Sequence, residues 1–180
     1  VNIPNATENG RTKDNKLTYT ARLAYDVSDT LNVYLSYATG FKASSINLSR
    51  DSRPGARAAG PENSTVYELG VKGNWGVASA NISVFKQSIK GFQSNIFNGL
   101  AFLLANAGKQ STWGLEFDGT LRLTLGLTLG VSATWLDPKY NSFPNSAFGD
   151  VSGARPADIP GISATFSGEY DHEMGNGDHL

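Results

Sequence analysis

The side chains able to do chemistry fall into three groups. Arg50, Arg53 and Arg57 stand three and four residues apart in a stretch that also holds Asp51 and Glu62. Three guanidinium forks so close together suit an anionic ligand, because an arginine meets a carboxylate in bidentate geometry. A solvated loop whose charges contact only water or membrane headgroups is the competing account. The second group is Glu68, Lys72, Glu116 and Arg122, part of a wider set with Arg22, Asp26, Asp118, Glu169 and Asp171. Its mixed signs suit ion pairs, either with neighbouring strands or with a second body. The third group is His172 and His179, the chain's two histidines, flanked by Asp171 and Asp178. Such neighbours could ligate a metal or orient a base. No serine or cysteine nucleophile context accompanies them, and metal-ligand spacings are missing, so polar turn residues are expected here, with no catalytic residue, metal or cofactor.

Composition narrows the class. The 180 residues carry 17% charged side chains, 39% hydrophobic ones and a net charge of −1, which leaves no basic footprint for nucleic acid. Cysteine is absent, which rules out a disulfide scaffold or thiolate metal site. No run reaches the eighteen or more apolar residues of a membrane helix. The stretch Gly91–Gly108 is uncharged until its end but is interrupted by Gln93, Ser94, Asn95, Asn98 and Asn106.

The elements that must position these groups are strands. Leu17, Tyr19, Ala21, Leu23, Tyr25 and Val27 share one parity, against Thr18, Thr20, Arg22 and Asp26 on the other. Period two marks a strand with unlike faces. Leu31–Phe41 and Leu125–Trp135 repeat the pattern over eleven residues each. Tyr67, Leu69, Val71 and Trp75 outline a third strand, Ile82 and Val84 a shorter fourth, Trp113, Leu115, Phe117 and Leu121 a fifth, and Ile162, Ala164, Phe166 and Tyr170 a seventh, with an eighth starting near Leu180.

Strand length decides what the apolar stripes face. Strands of soluble domains usually run to about five or six residues, whereas a tilted bilayer crossing needs about nine to eleven. The stripes match the second value, and a soluble β-sandwich, the other way to alternate, does not require it. Tyr25, Trp75 and Tyr170 sit beside short connections, and Phe41, Trp113 and Trp135 beside long ones, as two interfacial girdles would. The short connections are Ser28–Thr30, Gly76–Val77, Leu123–Thr124 and Glu173–Gly177; the long ones are Ala43–Glu62, Ser94–Ser111 and Lys139–Asp158. Asn98-Gly99 is a hairpin signal, so Phe92–Phe97 and Leu100–Ala105 are expected to continue the wall above the membrane. The expected fold is all-β, an antiparallel up-and-down transmembrane barrel segment of seven to eight strands, with short turns in the periplasm and long loops outside.

Several strings carry a more specific signal: Tyr34-Leu35-Ser36-Tyr37-Ala38-Thr39-Gly40-Phe41-Lys42, then Pro61-Glu62-Asn63-Ser64-Thr65-Val66-Tyr67-Glu68-Leu69-Gly70-Val71-Lys72, then Asn106-Ala107-Gly108 followed by Gly114-Leu115-Glu116, and finally Arg155–Pro160 entering a strand. In this order and spacing they resemble the barrel of TonB-dependent outer-membrane receptors, from about Leu17 to the C-terminus. The resemblance implies that residues 1–180 are one partial barrel domain, an internal piece of a wall of about 22 strands, with the plug domain, the TonB-contacting box and the final strands lying elsewhere.

What it implies for function is uptake across the outer membrane of a Gram-negative bacterium, energised by the TonB system through the plug, of a scarce ligand such as a ferric siderophore, a corrinoid or an oligosaccharide. The partners implied are outer-membrane lipid, the protein's own plug domain and the TonB system. Glu68, Lys72, Glu116 and Arg122 become candidates for plug contact, with ladder pairs inside the wall as the alternative. Arg50, Arg53 and Arg57 become candidates for ligand contact. Two further readings stay open: a small eight-stranded barrel with a structural or adhesive role, and an outer-membrane hydrolase.

Overall fold

Seven long strands follow one another around a single antiparallel sheet. The computed structural model describes residues 11–46, 58–97, 102–123, 126–146 and 148–171. In chain order the elements are β1 (Thr20–Ser28), β2 (Leu31–Lys42), β3 (Ser45–Ile46), β4 (Ala58–Ala59), β5 (Glu62–Asn74), β6 (Ala78–Phe97), β7 (Phe102–Arg122), β8 (Leu127–Ser142) and β9 (Ile162–Tyr170). The large sheet has the order β1-β2-β5-β6-β7-β8-β9, and β3 and β4 form a separate two-stranded ladder at the base of the first long loop. Each long strand thus pairs with its sequence neighbours, as an up-and-down wall requires.

Register converts the alternation of each strand into rows across the sheet. Leu23, Leu35, Leu69, Val84, Leu115, Trp135 and Ile162 stand opposite one another in succession, one residue from each strand. The next row reads Tyr25, Val33, Val71, Ile82, Phe117, Ala133 and Ala164. Every member of the first row is between 40% and 73% exposed. The buried apolar side chains among the described residues are Tyr34, Ala59, Phe92, Leu103, Ala107 and Phe143, and none comes from these rows. A sandwich would close its apolar stripes on each other; here they form one continuous face that a hydrocarbon solvent satisfies. No helix of the described residues is long and apolar enough to cross a membrane, which has no bearing on a crossing by strands.

Turn chemistry sets the short-connection end. Gly76 takes φ 80° between Trp75 and Val77, its N–H bonds Asn74 Oδ1 at 3.1 Å, and Trp75 N–H bonds the Ala78 carbonyl at 2.8 Å. This positive φ suits glycine, which has no Cβ to clash.

Two expectations need correction. The fourth strand is not short: β6 runs for 20 residues and β7 for 21. A crossing uses about nine to eleven, so roughly half of this hairpin stands beyond the apolar band. The stretch 94–111 is correspondingly strand pairing for most of its length rather than loop, as the Asn98-Gly99 signal suggested, and Asn98 and Gly99 themselves lie outside the described residues. So do Glu173–Gly177, His172, His179, Asp178 and the start of an eighth strand.

Candidate functional site

The face opposite the apolar rows is mostly polar and holds two organised groups. The first is centred on Tyr34 of β2, an aromatic residue on the polar parity. Its row reads Ala24, Tyr34, Gly70, Ser83, Glu116, Thr134 and Ser163. Tyr34 is 4% exposed because its ring lies across β5 at Gly70, where an added Cβ would stand 2.3 Å from Tyr34 Cζ. Phe85 lies over Gly114 in the same fashion. The Arg22 guanidinium carbon is 3.8 Å from the Tyr34 ring centroid and Lys72 Nζ is 5.4 Å from it. Its phenolic end lies near Glu68 and Ser83. Two cations on one aromatic ring, with a carboxylate near its phenolic end, make a compact charged patch on the polar wall.

Of the four residues singled out on this face, the structure brings Glu68 and Lys72 together around Tyr34. It does not gather the other two. Glu116 faces Ser83 and Thr134 one strand further on, and Arg122 faces Thr128 at the short-turn end. Tyr34 and Arg22 complete the patch; the available signal for Tyr34 was an aromatic in register with polar neighbours. One row lower, Asn32 Nδ2 donates to Asp26 Oδ1 and Ser132 Oγ to Asp118 Oδ1, each at 2.7 Å. Between them Asn81 Oδ1 is buried without a partner among the described residues. It borders a shallow depression of about 460 Å³ that Lys72, Asp118, Thr120 and Ser132 also line.

The second group lies at the long-loop end. Lys42 Nζ pairs with Glu62 Oε1 at 3.1 Å, and the same carboxylate oxygen accepts the Gln93 N–H. Gln93 Nε2 donates to the carbonyls of Ala43 and Gly60 at 2.8 and 2.9 Å, while its Oε1 accepts from Ser45 Oγ at 2.7 Å. Asn106 Oδ1 accepts from Gly60 N–H at 2.6 Å, and its Nδ2 donates to the carbonyls of Gly60 and Gly91 at 2.8 and 2.6 Å. One glutamine and one asparagine therefore fasten both stems of the first long loop to the β6–β7 hairpin. Beside them Phe92 stacks on Tyr140 at 5.5 Å and meets Phe143 edge-on at 5.2 Å, packed with Ala107 and Val151. Lys42, Gln93 and Asn106 were not singled out as site residues from the sequence, and Glu62 only as a counter-charge to the arginines, although Lys42, Glu62 and Asn106 all sit in the family-like strings. Arg50, Arg53 and Arg57 belong to the loop these stems carry and lie outside the described residues.

The third long loop has its own small lock. Ser152 N–H donates to Asp150 Oδ1 at 2.8 Å, and bonds from the Ser152 hydroxyl and N–H hold the Asp150 carboxyl below the usual carboxylate range. Arg155 crosses the loop mouth, donating to the Leu136 carbonyl at 3.0 Å and approaching Asp137 at 3.7 Å.

Comparison with known proteins agrees with this architecture. Among curated protein sequences none matches the chain. The ferric yersiniabactin uptake receptor FyuA from Yersinia pestis superposes with a TM-score of 0.69 at 22% identity, over 87% of this chain and 23% of the receptor. BauA, the ferric preacinetobactin receptor from Acinetobacter baumannii, gives 0.65 at 22% identity over 88% and 23%. The ferripyoverdine receptor of the outer membrane of Pseudomonas aeruginosa gives 0.63 at 18% identity over 88% and 21%. The chain spans roughly a quarter of the length of these receptors, and at such identities the likeness is one of fold. The family model described as TonB dependent receptor-like, beta-barrel matches residues 2–178. With seven consecutive antiparallel strands, an apolar face and a polar face, the chain belongs to the TonB-dependent receptor-like β-barrel family.

Proposed function

We propose that these strands are an arc of the wall of an outer-membrane receptor that takes up a scarce ligand, a ferric siderophore being the first candidate, with energy supplied by TonB through a plug domain. The observation that carries this reading is the pair of unlike faces: seven-membered apolar rows for lipid on one side, and on the other a polar wall with the charged patch around Tyr34. A scaffold that only adhered would not need that patch. The ferric siderophore class is favoured by the ligands of the three receptors named above, all of them ferric chelates. Among the described residues no arrangement favours a hydrolase.

In this reading residues 1–180 form one partial barrel domain in the outer membrane of a Gram-negative bacterium. The short turns face the periplasm and the long loops the outside. Arg22, Glu68 and Lys72 contact the plug, with Glu116 and Arg122 as further contacts along the same wall. The first long loop presents Arg50, Arg53 and Arg57 to an anionic chelate, on stems positioned by Gln93 and Asn106. The protein makes and breaks no covalent bond.

The test is accumulation of radiolabelled iron supplied as ferric chelates, in iron-starved cells producing the full-length protein, with and without TonB. Uptake of at least one chelate that disappears without TonB is expected. Equal uptake in cells lacking the protein, for every chelate tried, would refute the ligand class. Uptake that persists without TonB would refute the energy source.

A further inference from the structure

The charged patch on the polar face does not account for a set of lysines pointing the other way. On the apolar parity, Tyr37, Tyr67 and Trp113 mark the long-loop limit of the band. Lys86 stands in that row, opposite both Tyr67 and Trp113, with its Nζ 5.0 Å from the Trp113 ring centroid. One row beyond, Lys139 is opposite Ser111; two rows beyond, Lys90 is directly opposite Lys109. All four are exposed. Among the described residues the one carboxylate in these rows, Asp137, already faces Arg155 at 3.7 Å.

Two lysines in register on neighbouring strands hold their Cβ atoms about 5 Å apart, a like-charge arrangement that destabilises a sheet by itself. Lys139 lies one strand and one row away from Lys109, about 8 Å diagonally at ordinary strand spacing and rise. Three ammonium groups are thus crowded on one outer patch, with a fourth just below. Their height is the second observation. At about 6.7 Å per row along a strand tilted by about 40°, the patch stands about 5 to 10 Å above the aromatic row. Aromatic belts sit at the level of lipid headgroups, so the lysines reach the layer where headgroup phosphates lie.

We propose that Lys86, Lys90, Lys109 and Lys139 form an outer-wall binding site for the phosphate groups of an anionic membrane lipid whose acyl chains run down the apolar rows beneath. The inference rests on the membrane-wall reading given above. Compact ammonium charges suit phosphate as point charges, and a phosphate bridging Lys90 and Lys109 turns their repulsion into shared attraction. Continuity with exposed Trp113, Leu115 and Trp135 selects a lipid over a soluble phosphate, because only a lipid also covers those side chains.

The test uses the full-length protein purified in a neutral detergent, with bis-phosphorylated lipid A as the probe. Each lysine near an anionic surface strengthens binding by about five-fold, so the K90Q/K109Q/K139Q variant is expected to bind lipid A about 100-fold more weakly. Dephosphorylated lipid A should bind the unaltered protein no better than lipid A binds the variant. Without lipid, Lys90→Gln alone should melt at or above the unaltered protein, since a repulsion is removed; with lipid A that order should reverse. Unchanged lipid A affinity in the triple variant would overturn the site. So would full protection by inorganic phosphate at the same concentration, which would make it a free-anion site. Heat-modifiable migration, read in parallel, separates the two levels: a protein that lacks it overturns the wall itself rather than the lysine site.

Discussion

Gly70→Ala isolates the packing that builds the charged patch. Gly70 lies in ordinary extended backbone, outside the positive-φ glycines, so alanine brings no dihedral strain. Its Cβ would nevertheless fall 2.3 Å from Tyr34 Cζ and 2.4 Å from the hydroxyl oxygen, so the ring must swing off β5. Doing so forfeits the Arg22 contact at 3.8 Å, worth about 0.5–2 kcal/mol. It also exposes a ring that is now 4% exposed, and burying an apolar side chain of similar size is worth about 1.5–3 kcal/mol. The sum, about 2–4 kcal/mol after some recovery by water, should appear as a lower urea midpoint for the full-length barrel refolded into lipid vesicles. In a Tyr34→Ala background the same Gly70→Ala change meets no ring. There it should stabilise by about 0.5–1 kcal/mol, the usual strand gain of alanine over glycine. The sign reversal is the signature of the contact, and an equal effect of Gly70→Ala in both backgrounds would refute it.

Three further outcomes follow from the same geometry. Leu69→Arg places a charge in the middle of the apolar band and should destabilise the barrel by about 2–4 kcal/mol in a vesicle folding titration, whereas Thr65→Arg, two rows above Leu69 and beyond the band, should cost about 0–1. Asn106→Leu removes three bonds to Gly60 and Gly91 and should raise amide exchange at residues 58–60 and cleavage by added protease within 47–57, with exchange in β2 unchanged. Asp150 has its folded pKa lowered by Ser152, so its contribution to holding the third loop is complete above the unfolded carboxylate value and is lost as pH falls through the folded one. Amide exchange at 143–153 should accordingly rise on acidification below about pH 4, the ordinary carboxylate range, and Ser152→Ala, which removes the hydroxyl bond and keeps the N–H one, should weaken that dependence.

Which strands exist and which face each residue takes were legible because period two is a local property, and register then multiplied it into rows. The lengths of β6 and β7 were not. Their register shifts at Lys90/Phe92 and Phe92/Gln93, near Gly91 with φ 68°, and an extra residue at such a bulge breaks the alternation that marks a strand. Above that point Phe92 leaves the lipid pattern to pack with Tyr140 and Phe143, so hydropathy alone suggested a loop. Glu68 and Lys72 were placed on the correct face from parity, but their meeting at Tyr34 depends on Gly70 being on the adjacent strand, 36 residues away from Tyr34. The loop fastening was hidden for the same reason: Gly60 and Asn106 are 46 residues apart, and only strand pairing brings them within 2.6 Å.

The central claim is that this sheet separates lipid from water, one parity to each. Because the 180 residues contain no cysteine, single cysteines can be placed at 67, 68, 69, 71 and 72 of β5, labelled with a small fluorophore, and examined in vesicles containing brominated lipid. Strong quenching at 67, 69 and 71 with little at 68 and 72 is the expected result. Uniform quenching, or none at any of the five positions, would contradict the membrane wall.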